Sequence, residues 1–177
     1  MVQFYACSIF QKKMMLTIRS ASAADVPLIR ELAEQIWPQT YAPILPAEQI
    51  KYMMDLIYSK ASLRQQMEEQ HQFLILTDAE TPLGFASYNE IKPCLFKLQK
   101  IYVLPREQGR GLGRFIIDYI IKQIKLAGAT ALQLNVNRHN KAKDFYERSG
   151  FKVIRTEDID IGNGYFMNDY VMEKKLE

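Results

Sequence analysis

Gln99-Lys100-Ile101-Tyr102-Val103-Leu104-Pro105-Arg106-Glu107-Gln108-Gly109-Arg110-Gly111-Leu112-Gly113 is the stretch on which the fold turns. An apolar strand stops at a proline, passes three alternating glycines and enters an amphipathic helix. Glycine accepts φ > 0 and lets a ligand come close to the backbone. The first turn of a helix carries N–H groups without partners and the positive end of the dipole. Strand, glycine loop and helix start together make an anion site suited to phosphate. Arg110 and Arg114 flank the loop and are able to add charge-assisted bonds.

The spacing decides which phosphate site this is. No G-x-x-x-x-G-K-[ST] string occurs, so a P-loop is excluded. A dinucleotide fingerprint needs a third glycine at the sixth position, where Arg114 stands. The following strand also ends without an acid to hold a ribose. What fits is Gln108-Gly109-Arg110-Gly111-Leu112-Gly113, which reads Q-x-x-G-x-G. This run resembles the acetyl-coenzyme A loop of the GNAT superfamily of N-acetyltransferases.

A second segment strengthens the resemblance. Ala142, Tyr146, Gly150 and Phe151 stand in the family's A-x-x-x-Y-x-x-x-G-F spacing, with Asn140 just ahead of them. The resemblance implies that Tyr146 lies near the coenzyme A sulfur as general acid. It implies cofactor contacts from Ile101, Tyr102 and Val103, from the loop residues Gln108, Gly109, Arg110, Gly111, Leu112, Gly113 and Arg114, and from Asn140 and Lys143. Several of these have a plainer alternative, and both stay open here. Tyr146 can be a core aromatic beside Phe145, and Asn140 can serve also as a helix cap. Arg110, Arg114 and Lys143 can be solvated helix charges.

The chemistry explains the residue types. An amine attacks the thioester carbonyl, and a backbone N–H near Val103 can hold the oxyanion. A phenol of pKa about 10 can protonate a thiolate whose thiol has a pKa near 8.5. The base is less legible. Some family members place a glutamate where Lys97 stands, so Glu90 is the carboxylate to test, with a water chain as the alternative. Ile36-Trp37-Pro38-Gln39-Thr40-Tyr41 resembles the Pai-type spermidine/spermine N-acetyltransferases. Trp37 and Tyr41 are therefore expected at the acceptor or, alternatively, in the core. Glu34, Asp55 and Glu90 are the acids available to a polyamine.

Composition agrees with a globular enzyme. The 177 residues are 48% apolar and 24% charged, enough for one domain with a sizeable core. The chain reads as an extension over residues 1–14 and a domain over residues 15–177. The extension can equally reflect a translation start chosen too far upstream. A net charge of +3 without a Lys/Arg cluster argues against nucleic acid and suits an anionic ligand. No run of 18 apolar residues predicts a membrane span. Cys7 and Cys94 form no metal or disulfide pattern, and His71 and His139 are the only histidines. A cytoplasmic protein without a metal is expected.

Hydrophobic periodicity supplies the order of elements. A short strand is expected over residues 16–19 and a helix from Ser22 to about Ile36. Prolines 38, 43 and 46 bound an irregular segment. Further helices cover residues 47–58 and 62–69. Three strands follow, over residues 72–77, 83–91 and 95–104. Next come a helix from Leu112 closed by Gly128, a strand over residues 131–136, a helix over residues 140–149 and a final hairpin around Gly162-Asn163-Gly164. The helix from Leu112 should bury Leu112, Phe115, Ile116, Tyr119, Ile120, Gln123 and Ile124.

This is the order of the GNAT fold. An α/β (α+β) domain is expected, with a mixed, mostly antiparallel twisted sheet of about seven strands flanked by helices. Its strand–helix–strand piece would be parallel and hold acetyl-CoA. The leading reading is acetyl transfer to a small primary amine, polyamines first. The alternatives are acetylation of a protein N-terminus or lysine, or a non-catalytic acyl-CoA sensor. The partner expected is a small amine, with neither nucleic acid nor membrane; a homodimer and a monomer both stay open.

Overall fold

The computed structural model describes residues 14–177; most of the proposed extension, with Cys7, lies outside the described residues. The strands are β1 (Leu16–Ser20), β2 (Gln72–Asp78), β3 (Thr81–Lys92), β4 (Leu95–Val103), β5 (Ala131–Asn137), β6 (Lys152–Gly162) and β7 (Tyr165–Lys175). The helices are α1 (Val26–Tyr41), α2 (Ala47–Tyr58), α3 (Lys60–Glu68), α4 (Leu112–Leu126) and α5 (Ala142–Arg148). The expected seven-stranded mixed sheet is present, in the order β1-β2-β3-β4-β5-β7-β6. All neighbours are antiparallel except β4 and β5. Among the described residues no helix is long and apolar enough to cross a membrane.

Two apolar clusters cover the two faces. On one face α4 and α5 pack Leu112, Ile116, Ile117, Ile120 and Tyr146 against Leu98, Leu132 and Leu134. On the other, α1, α2 and α3 pack Ile29, Ile36, Met53 and Leu63 against Phe73, Ile75 and Phe85. The α4 stripe runs one residue off the expectation. Ile117 is buried, whereas Phe115 is 39% exposed.

Three boundaries differ from the sequence reading. Helix α1 continues through Pro38 to Tyr41 rather than stopping at Ile36. Proline removes one helical N–H and crowds the carbonyl four residues back. Here the buried aromatic Trp37 and the half-buried Tyr41 pin both sides of it. Helix α3 starts two residues early, because Ser59 Oγ accepts the Ser62 N–H at 3.2 Å. Helix α5 begins at Ala142, not Asn140; Lys141 is its N-cap, and Asn140 stands one residue further out with its Oδ1 accepting the Ala142 N–H.

Two irregularities in β4 position the site. Ser87 pairs with Lys100 but Tyr88 pairs with Leu98, so Gln99 is an extra residue, a β-bulge. The parallel ladder with β5 joins Leu95–Leu98 to Ala131–Leu134 and then ends. Beyond it β4 and β5 diverge, and β5 continues paired only with β7 through Asn137. A gap opens in the middle of the sheet.

The final hairpin closes around Asn163 (φ 55°) and Gly164 (φ 75°), the paired positive φ values of a type I′ turn. It docks on α2. Tyr52 Oη donates to the Ile161 carbonyl at 2.7 Å, and Gln49 Nε2 to the Phe166 carbonyl at 3.1 Å.

Candidate active site

A cleft of about 800 Å³ runs through the gap. This is a size suited to a cofactor or drug-sized ligand, roughly 300–1,000 Å³. Its walls come from the end of α1, the divergent part of β4, the glycine loop, β5 and α5.

The glycine loop is built for an anion. Gly109 (φ 77°) and Gly111 (φ 79°) are left-handed, the backbone state that glycine alone adopts freely. Gly111 is the N-cap of α4, and no side chain caps that end. The first helical bond runs from the Phe115 N–H to the Gly111 carbonyl at 3.0 Å. The N–H groups of residues 112, 113 and 114 therefore point out of the helix end without helical acceptors. Gln108 Nε2 donates to the Val103 carbonyl at 3.1 Å and ties the loop to the strand end.

The strand end offers donors too. The Leu104 N–H donates to the Leu83 carbonyl at 2.9 Å. N–H directions alternate along an antiparallel strand. The Val103 N–H therefore faces away from β3, toward the gap left by β5. A donor in that position can hold an oxyanion.

Tyr146 lines the cleft from α5, 8% exposed, with Phe145 and Phe151 at 5.2 and 5.9 Å between ring centroids. Burial pushes its phenol pKa well up. It therefore stays protonated, a hydrogen-bond donor, across the working range. From the opposite face come Tyr41 and Tyr102, whose hydroxyls lie 3.1 Å apart. Burial raises the Tyr41 pKa, and Tyr102, Tyr146 and Asp169 add to the effect.

The structure sorts the other expected residues. Ile101, Tyr102, Val103, Gln108, Gly109, Gly111, Leu112, Gly113, Arg114 and Asn140 all reach the cleft. Asn140 Oδ1 also accepts the Ala142 N–H at 2.9 Å, one residue ahead of the N-cap Lys141. Arg110 pairs with Glu107, and Lys143 with Glu147 at 2.6 Å; neither lines the cleft in this conformation. Trp37 and Tyr41 part company. Tyr41 lines the cleft, while Trp37 is 3% exposed and supports it from beneath at 4.4 Å between ring centroids.

Glu90 is not brought to the site. It sits opposite Phe96, at the closed end of the sheet, and its Oε1 accepts the Cys94 N–H at 2.8 Å in the β3–β4 turn. The other acids considered for a polyamine do not converge either. Glu34 and Asp55 both pair with Arg30, at 2.6 and 3.6 Å. Among the described residues that line the cleft there is no Asp, Glu or His.

Sequence reasoning missed Asn135 and the carboxylate behind it. Asn135 lines the cleft from β5. Its Nδ2 reaches Glu157 Oε2 at 3.3 Å and Asp169 Oδ2 at 3.5 Å. Asp169 is 4% exposed. The signal was period two: in β7 Asp169 shares a face with the buried Val171.

Comparison with known proteins gives a consistent answer. The profile of the acetyltransferase (GNAT) domain matches residues 41–174. The spermidine N(1)-acetyltransferase of Thermoplasma acidophilum is 31% identical over 172 residues, 93% of this chain and 99% of the relative. The [ribosomal protein bS18]-alanine N-acetyltransferase of Haemophilus influenzae is 30% identical over 111 residues, 62% of this chain and 70% of the relative. The crystal structure of PaiA N-acetyltransferase from Thermoplasma acidophilum with coenzyme A superposes with a TM-score of 0.79. It is 29% identical, covering 92% of this chain and all of that one.

Proposed function

Because the chain belongs to the GNAT acetyltransferase family, and so is an acetyl-CoA-dependent N-acetyltransferase, we propose that its acceptor is a small primary amine, polyamines foremost. One observation supports the acceptor reading, the 31% identity over 93% of the chain to a spermidine N(1)-acetyltransferase; the gap between β4 and β5, with an uncapped helix start on one flank and Tyr146 on the other, supports the transfer chemistry. The PaiA structure contains coenzyme A, and its overlap with this chain supports the same mode of binding here.

In the proposed reaction the pyrophosphate rests on the N–H groups of residues 112–114, in the left-handed glycine turn. The free amine attacks the thioester carbon, and the N–C bond forms. The Val103 N–H holds the oxyanion. The intermediate collapses, the C–S bond breaks, and Tyr146 gives its proton to the departing sulfur. The nitrogen sheds a proton that restores the phenol. Water takes the first ammonium proton, since among the described residues no carboxylate or imidazole side chain lines the cleft.

Thiol release from acetyl-CoA, measured with spermidine, amino acids and an alanine-ended peptide, tests the acceptor. Turnover of spermidine or another small amine is expected. Turnover of the peptide alone would transfer the chain to the class of the Haemophilus relative. Binding of acetyl-CoA without any turnover would make it a sensor.

A further inference from the structure

We propose that Asn135 Oδ1 is the hydrogen-bond acceptor that receives the amine of the acceptor substrate, and that Asp169 and Glu157 aim it. This rests on the small-amine reading above. Asn135 Nδ2 is shared between the carboxylates of Asp169 and Glu157. Ionised carboxylates only accept hydrogen bonds. The NH₂ end of the amide must therefore face them, which fixes the flip of the side chain. Its carbonyl oxygen is left over.

That oxygen is buried and has no hydrogen-bond partner. Leaving a buried acceptor without a partner is costly, so a native protein keeps one for a reason. Asn135 is also the first β5 residue beyond the parallel ladder, where β4 and β5 part. It lines the same cleft as Tyr41 and Tyr146.

The surroundings are charged but balanced. Glu157 is paired with Arg155 at 2.6 Å, and Lys97 on β4 and Arg138 act electrostatically on Asp169. Both carboxylates thus have cationic neighbours. Recognition rests on the directed N–H···O bond rather than on attraction of a cation. Asp169 and Glu157 are positioning residues; Asn135 is the contact.

Asn135→Ala tests the idea with spermidine as acceptor. The KM for spermidine should rise at least tenfold, with the acetyl-CoA Kd unchanged. Asp169→Asn can accept from the NH₂ end of the amide or donate to its oxygen end, so it frees the flip and should raise KM less. Butyltrimethylammonium, a cation with no N–H, should inhibit wild type and Asn135→Ala equally. A spermidine KM within twofold of wild type in Asn135→Ala would overturn the proposal and leave the acceptor class standing. So would inhibition by butyltrimethylammonium that weakens in step with spermidine. Where Asn135→Ala fails to bind acetyl-CoA, Asp169→Asn decides by the same KM criterion. A wild type that acetylates no amine would remove both readings together.

Discussion

A Cβ placed on Gly113 would stand 3.1 Å from Cζ of Phe145. The first turn of α4 and the middle of α5 touch here, so the anion-binding helix end and the Tyr146 helix share one contact. Gly113→Ala gains up to about 1 kcal/mol of helix propensity. It loses about 1–3 kcal/mol to overpacking. Stability should therefore change little, with Tm moving less than about 8 °C for a domain of this size. Activity should fall more, because Tyr146 moves with Phe145. An unchanged kcat beside a lowered Tm would show that the contact is only packing.

Tyr146→Phe removes one hydroxyl. It should lower kcat by about 10²–10⁴-fold, the span of general acid catalysis, with little change in acetyl-CoA affinity. A loss confined to KM would instead report ground-state binding.

Gly111→Asp forces a side chain onto a backbone at φ 79° and sets a carboxylate against the pyrophosphate. Acetyl-CoA binding should weaken about 100-fold, as charge-assisted bonds give way to repulsion. Gly111→Ala bears only the backbone strain, about 1–2 kcal/mol, and separates the two effects. Calorimetric titration of both variants reads this directly. Equal binding by Gly111→Asp and wild type would refute the loop assignment.

With water as proton acceptor, kcat/KM should climb with pH toward the pKa of the amine, about 10.4 for a lysine-like group. Each unit below it cuts the free amine tenfold. Glu90→Gln should leave the profile and the rate within twofold, since Glu90 serves the β3–β4 turn. A fall in rate of more than tenfold in Glu90→Gln would restore Glu90 as the base.

Lys100 is buried, with its Nζ donating to Gln66 Oε1 at 2.5 Å, and burial holds its pKa down to about 8. The folded value lies below the unfolded one of about 10.4. Between those values the unfolded chain binds more protons, so stability rises with pH. Lys100→Met should therefore gain Tm over wild type at pH 7 and lose that gain by pH 10. A difference constant with pH would contradict the buried charge.

What was legible in the sequence depended on how local the information was. The glycine loop announces itself because left-handed turns and a bare helix start require particular residues at fixed spacing. Tyr146 comes with it, one helix face away from Phe151. Glu90 misled because the β3–β4 turn holds it opposite Phe96, away from the gap, and the sequence does not mark that pairing. Asn135, Glu157 and Asp169 meet only after β7 pairs with both β5 and β6. Each is unremarkable alone. Pro38 read as a helix end because the tertiary burial of Trp37 that overrides it is not a local property.

The place of β7 has a consequence for synthesis. The strand made after the other six does not join an edge; it inserts between β5 and β6. A nascent chain carries β5 with one side unpaired until residues 165–175 leave the ribosome. Long-range pairing of this kind is slow, and it exposes strand edges while it waits. The glycine loop can form early from neighbouring residues, but the β5–β7 pairing cannot. The seven-stranded sheet closes only when β7 slides between β5 and β6.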